Sequence, residues 1–243
     1  MKIATISGLL GLAFSLALTA TAGASTVAGF CNPWFPTPDG ARWEYEEVSG
    51  AGRARAIRSV VVATVTKNAS GEVAELRQTV REAARKSRAR AAGITEVRCE
   101  NGNLALTTRG AAEGKSGASR AAGRVTAVIP GLPSEKFLKP GYVWKSRSRI
   151  LAQEGDATIT VEGERESRVG RTTTVEVPAG TFSDVLLVET KQTLTRAGTP
   201  PVVQDIREWY VRGVGLVQRE TRVAGGPPTS FTLEKMRHFS RGE

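Results

Sequence analysis

The sequence predicts a mostly β protein: a curved antiparallel sheet forming a partial barrel or sandwich, with two duplicated β halves as its plan. Three observations carry this. In Thr172 to Thr190, Val175 and Val177 alternate with polar residues, Pro178-Ala-Gly180 breaks the ladder, and Val185 to Val188 is a second aliphatic run, so the stretch reads strand, corner, strand. Short β-patterned runs recur along the chain between glycine and proline turns, with little helical periodicity. Finally, Gly40-Ala-Arg-Trp43 is echoed by Gly141-Tyr-Val-Trp144, each a glycine turn entering a strand that a tryptophan anchors.

Met1 to Ala24 predicts a secretory signal peptide, with Lys2 as the positive start, Leu9 to Leu18 as the apolar centre and Ala22-Gly-Ala24 as the cleavage site. The apolar run is shorter than the roughly 18 residues a membrane span needs, and no later stretch reaches that length. Phe30 before Cys31 is the wrong residue for lipidation, so a soluble exported chain is expected. In an oxidising compartment Cys31 and Cys99 pair as a disulfide by default. The net charge of +10 would suggest nucleic acid for a cytoplasmic protein. With export, lipid or anionic components of the cell envelope are the expected partners, with no nucleic acid and no transmembrane segment.

Cys31 to Gly40 holds three prolines and is extended and irregular, with Trp34 and Phe35 capping a core edge. Arg42 to Val48 is a strand with Trp43 and Tyr45 on one side, Ile57 to Thr66 a more buried strand, and Asn68-Ala-Ser-Gly71 a hairpin turn. Glu72 to Arg98 fits two periods. Arg77, Arg81, Arg85 and Arg88 stand at helical spacing, but after a hairpin turn a strand is favoured for Val73 to Glu82, with the arginines on the water side. Those four arginines are the candidate contact for an anionic surface, against the plainer reading of a solvated face.

Ile94 to Cys99, the turn Glu100-Asn-Gly-Asn103 and Leu104 to Leu106 form a hairpin. Gly110 to Gly123, small and charged throughout, reads as a flexible connector, dividing the chain into β halves 25–109 and 124–243. Its Gly110-Ala-Ala-Glu-Gly-Lys-Ser116 is one residue short of a phosphate loop. Strands follow at Val125 to Ile129, Trp144 to Ala152, Ala157 to Arg168, Thr172 to Val177, Asp184 to Thr195, Val203 to Val211, Leu216 to Val223 and Thr229 to Arg237.

Val175-Glu-Val-Pro-Ala-Gly-Thr-Phe182 with Trp209-Tyr-Val-Arg-Gly-Val-Gly-Leu-Val217 resembles a widespread group of bacterial exported proteins and lipoproteins of uncharacterised function. The resemblance implies a mostly antiparallel sheet, with the half-open barrel of lipoprotein carriers as one form, and no catalytic residues to carry over.

No catalytic, cofactor or metal site is expected. His238 is the lone histidine, and neither a Gly-x-Ser-x-Gly elbow nor a His-Glu-x-x-His motif occurs. The expected function is that of an exported, non-enzymatic envelope protein of unspecified role. A lipid or similar amphiphile would sit on a concave sheet face among Trp43, Trp144 and Trp209, unless those rings simply fill the core. The alternatives are a structural or assembly accessory without ligand, and a hydrolase of cell-surface polymers using Glu162 and Glu164.

Overall fold

Runs in which every second side chain is apolar or small pleat into strands that turn one face to a common interior. The computed structural model describes residues 31–49, 54–68, 71–83, 89–111, 124–154 and 157–237. The expected signal peptide, His238, and residues 112–123 of the connector lie outside them. The strands are β1 (Arg42–Ser49), β2 (Ala54–Asn68), β3 (Gly71–Glu82), β4 (Arg90–Glu100), β5 (Asn103–Ala111), β6 (Arg124–Pro130), β7 (Val143–Glu154), β8 (Ala157–Val169), β9 (Thr173–Val177), β10 (Gly180–Arg196), β11 (Val202–Val211), β12 (Gly215–Val223) and β13 (Thr229–Arg237). A single 3-10 turn, Glu135–Phe137, is the only helical element among the described residues. The stretch that fits both helix and strand by period is a strand, β3, with Leu76 inward and Arg77 outward.

All pairings are antiparallel, and they run β1 through β8, then β10 to β13. Pairing of β13 with β1 and of β10 with both β8 and β11 closes the sheet into a twelve-stranded ring in which each ring strand has a partner on both sides, while the short β9 pairs on one side alone among the described residues. The expected partial barrel is thus a closed one. The expected connector joins β5 to β6, which pair directly, with its first two residues, Gly110 and Ala111, completing β5, and both expected halves contribute to one continuous sheet.

Within that sheet the echo between the halves has a spatial counterpart. Gly40 and Gly141, with φ of 75° and 88°, open β1 and β7, which stand six strands apart on opposite sides of the ring. Gly102 and Gly213, with φ of 82° and 76°, turn the β4–β5 and β11–β12 hairpins, again six places apart. The left-handed backbone that these turns need is accessible to glycine without a Cβ clash. Among the described residues, the hairpin of β9 and the first part of β10 has no counterpart in the other half.

Antiparallel order puts the β2–β3, β4–β5 and β11–β12 turns, the 131–142 connection and the β9–β10 hairpin at one end, which is filled. Val175, Val177 and Val185 of the hairpin are buried with Val217 and Leu233 in one cluster, and the Ala179 N–H donates to the Leu233 carbonyl at 3.3 Å. Since β13 lies three places along the ring from β10, the hairpin folds beneath this end. Residues 31–40 cross it from another side. Cys31 is bonded to the inward-facing Cys99, the buried Asn32 amide donates to the carbonyls of Gly102 (2.8 Å) and Pro133 (3.2 Å), and the Gly213 N–H donates to the Pro33 carbonyl (2.8 Å). Trp34 and Phe35 pack on the core, as expected of an edge cap. Thr37 donates its hydroxyl proton to the buried Glu72.

Candidate functional site

Above this plug the barrel encloses a cavity of about 540 Å³, to which every one of the twelve ring strands contributes a side chain. That lies within the roughly 300–1,000 Å³ of small-molecule sites. Its lining changes character along the axis. Next to the plug stand Phe35, Trp43, Leu104, Leu132, Val188 and Leu216. Farther along, the inward positions become polar, because β8 turns Arg165 and Ser167 inward, β10 Thr190 and Gln192, and β4 and β5 Thr95 and Thr108.

These polar groups bond to one another across strands. Gln78 donates to Thr95 (2.8 Å), whose hydroxyl meets that of Thr108 (2.9 Å); Ser167 meets Thr190 (2.8 Å); and Gln204 donates to Gln192 (3.0 Å). Such a ladder holds the polar wall in place without filling the lumen. Glu47 and Arg58 pair at 2.9 Å, with Arg58 also donating to Gln78 at 3.2 Å. Glu208 is buried and pairs with Arg219 at 2.6 Å. Burial works against the Arg219 charge, but Glu208, Tyr210 and Tyr45 outweigh it and lift its pKa.

Tyr45 donates to the Leu216 carbonyl (3.0 Å) and stacks on Phe231 with ring centroids 4.3 Å apart. Burial pushes the pKa of Tyr45 upward, and burial together with Glu208 does the same for Tyr210, both well beyond the ordinary 10.0. Both phenols are protonated in either state below that value, so stability is full there. As pH rises past it only the unfolded chain ionises, and the fold loses about 1.4 kcal/mol per tyrosine by about pH 11. Urea midpoints measured on either side of this range should drop accordingly, and Tyr45→Phe should remove one tyrosine's share of the drop.

Trp43 and Trp144 line the cavity, and Trp43 donates its indole N–H to the Val214 carbonyl at 2.9 Å. Trp209 does not join them. Glu208 and Tyr210 take the inward positions of β11, which turns Trp209 to the other face, half-buried against the core. Arg77 and Arg81 are exposed outside the barrel, with Arg77 tied to Glu75 at 3.0 Å, and Arg85 and Arg88 lie outside the described residues. Glu162 and Glu164 also face outward, away from the cavity, on a cross-strand ladder with Arg149 (3.2 Å) and Arg147 (3.7 Å). The Cys31–Cys99 disulfide is formed as expected, with its Cα atoms 6.0 Å apart. No group of three or more His, Cys, Asp or Glu side chains that could hold a metal stands together among the described residues.

What sequence reasoning missed is the inward-facing set of Arg58, Arg165, Glu208 and Arg219. Its one sequence signal is the neighbour pattern, since Glu164 and Glu166 bracket Arg165 on alternate, outward positions.

Together these features define a closed antiparallel barrel with a plugged end and an internal cavity that is apolar below and charged above. The chain belongs to the DUF3108-like family, whose model matches residues 38–232. Two solved structures share the fold. One is a candidate lipoprotein from Parabacteroides distasonis ATCC 8503, 16% identical with a TM-score of 0.62, covering 86% of this chain and 100% of its own. The other is a candidate exported protein with a YmcC-like fold from Bacteroides fragilis NCTC 9343, 18% identical with a TM-score of 0.62 and the same coverage. No curated protein matches the chain.

Proposed function

We propose that this is an exported, non-enzymatic envelope protein whose barrel takes up a lipid or other amphiphile. The observation that carries the reading is the cavity of about 540 Å³, with tryptophan and aliphatic side chains at its plugged end and hydrogen-bonded polar groups beyond. Such a lining matches a molecule with an apolar body and a polar end. The two structures that share the fold are of a candidate lipoprotein and a candidate exported protein, which agrees with the signal-like Met1 to Ala24. Among the described residues no helix is long and apolar enough to cross a membrane.

Native mass spectrometry of protein purified from its own periplasm or medium should show a co-purifying amphiphile. After its removal, titration with dodecanol should change the fluorescence of Trp43 and Trp144 in a saturable way. Ser146→Trp, which places an indole in the lumen, should abolish that saturation while the melting temperature stays within a few degrees. A ligand-free mass together with no saturable response would overturn the reading.

A further inference from the structure

The charged groups that line the cavity are Glu47, Arg58, Arg165, Glu208 and Arg219. Two ion pairs use four of them, Glu47 with Arg58 and Glu208 with Arg219. Arg165 is left over. Its Nε is buried and has no hydrogen-bond partner, and no carboxylate among the described residues pairs with its guanidinium. The acids on either side of it in sequence cannot serve, because Glu164 and Glu166 point out of the barrel to Arg147 and Lys145. Its cross-strand neighbours Ser146 and Gln192 both line the cavity and are neutral.

Arg165 is half-buried, and a cation held inside a barrel lumen without a counter-charge is unfavourable. Water can satisfy its donors but not its charge, whereas a carboxylate or phosphate supplies both acceptors and charge to the planar guanidinium fork. One layer closer to the plug the inward residues are Trp144, Ser167 and Thr190, and beyond them Val188 and the apolar floor. A head group held at Arg165 would therefore direct an attached chain toward the aromatic and aliphatic end.

We infer that the cavity is a receptor for an anionic amphiphile, a single carboxylate- or phosphate-type head on an apolar chain, and that Arg165 holds the head, with Ser146 and Gln192 beside it. The inference rests on the amphiphile reading above and narrows it to one ligand class.

The test titrates the ligand-stripped full-length protein with dodecanoate, dodecyl phosphate, dodecanol, acetate and inorganic phosphate. One or both chained anions should bind at least roughly tenfold more tightly than dodecanol, and the stronger of the two identifies the head group. Arg165→Gln should remove that preference while leaving dodecanol affinity within about twofold, and Arg165→Lys should restore part of it. If the native protein binds dodecanol as tightly as the anions, the Arg165 assignment fails and the amphiphile reading stands. If none of the chained probes binds, both fail. Acetate or inorganic phosphate binding as tightly as its chained counterpart would show a site for free anions and overturn the class proposed. Loss of dodecanol affinity in both Arg165 variants would show that the side chain shapes the cavity instead of holding a head.

Discussion

Replacing Cys31 and Cys99 together with alanine is expected to lower the unfolding free energy by about 4 kcal/mol, from the size of the loop that the bond closes. The two cysteines are 68 residues apart in sequence, so the intact bond removes a large set of extended conformations from the unfolded chain. It also pins one side of the strap at residues 31–40, whose Asn32 and Pro33 otherwise hold the plugged end through single hydrogen bonds to Gly102, Pro133 and Gly213. Urea unfolding of the native protein and of the double variant would measure both parts. The midpoint should fall, and the slope should rise as the uncrosslinked chain expands. An unchanged midpoint would mean that the bond contributes nothing to the fold.

Leu233→Ala is expected to cost about 3–5 kcal/mol, at the upper end for leucine truncation in a core. Leu233 is 0% exposed and stands on β13 opposite Tyr45, where the β9–β10 hairpin folds beneath the barrel. Its neighbours lie on ring strands and on the β9–β10 hairpin, all held by backbone ladders, which limits how far they can collapse into the space. The substitution leaves the Leu233 carbonyl and its bond from Ala179 in place, so the loss reports packing. Val223→Ala, at a side chain 40% exposed on β12, should stay within about 0.5 kcal/mol by the same measurement. Similar losses at both positions would contradict the packing described for the plugged end.

Much of the strand order was legible along the chain because the ring is built from neighbours in sequence. Each strand from β1 to β8 pairs with the next, and the turn residues between them, such as Asn101-Gly102 and Pro178 to Gly180, announce the reversals. The Gly40–Trp43 and Gly141–Trp144 echo also held meaning, since the two strands that it opens stand opposite each other in the ring. The cavity was legible only in part. Period-2 reading depends on an apolar face standing against a polar one, and along β8 the inward Gly163, Arg165 and Ser167 offer no apolar side chain to set against the outward Glu162, Glu164 and Glu166. Trp209 and Tyr210 posed a different difficulty. Adjacent aromatics on a strand must face opposite ways, and nothing local says which one enters the barrel.

From the sequence alone came the β class, the positions of most turns, the pairing of two lone cysteines and the signal-like start, because each depends on residues close in the chain or on simple counts. The tertiary structure alone decided that β10 meets both β8 and β11 to complete the ring, that the strap and hairpin fill one end, and that Arg165 lines the lumen with a buried Nε that no group among the described residues bonds. Those outcomes rest on contacts between segments far apart in sequence, where closure of the sheet, and not local propensity, sets which side chains meet.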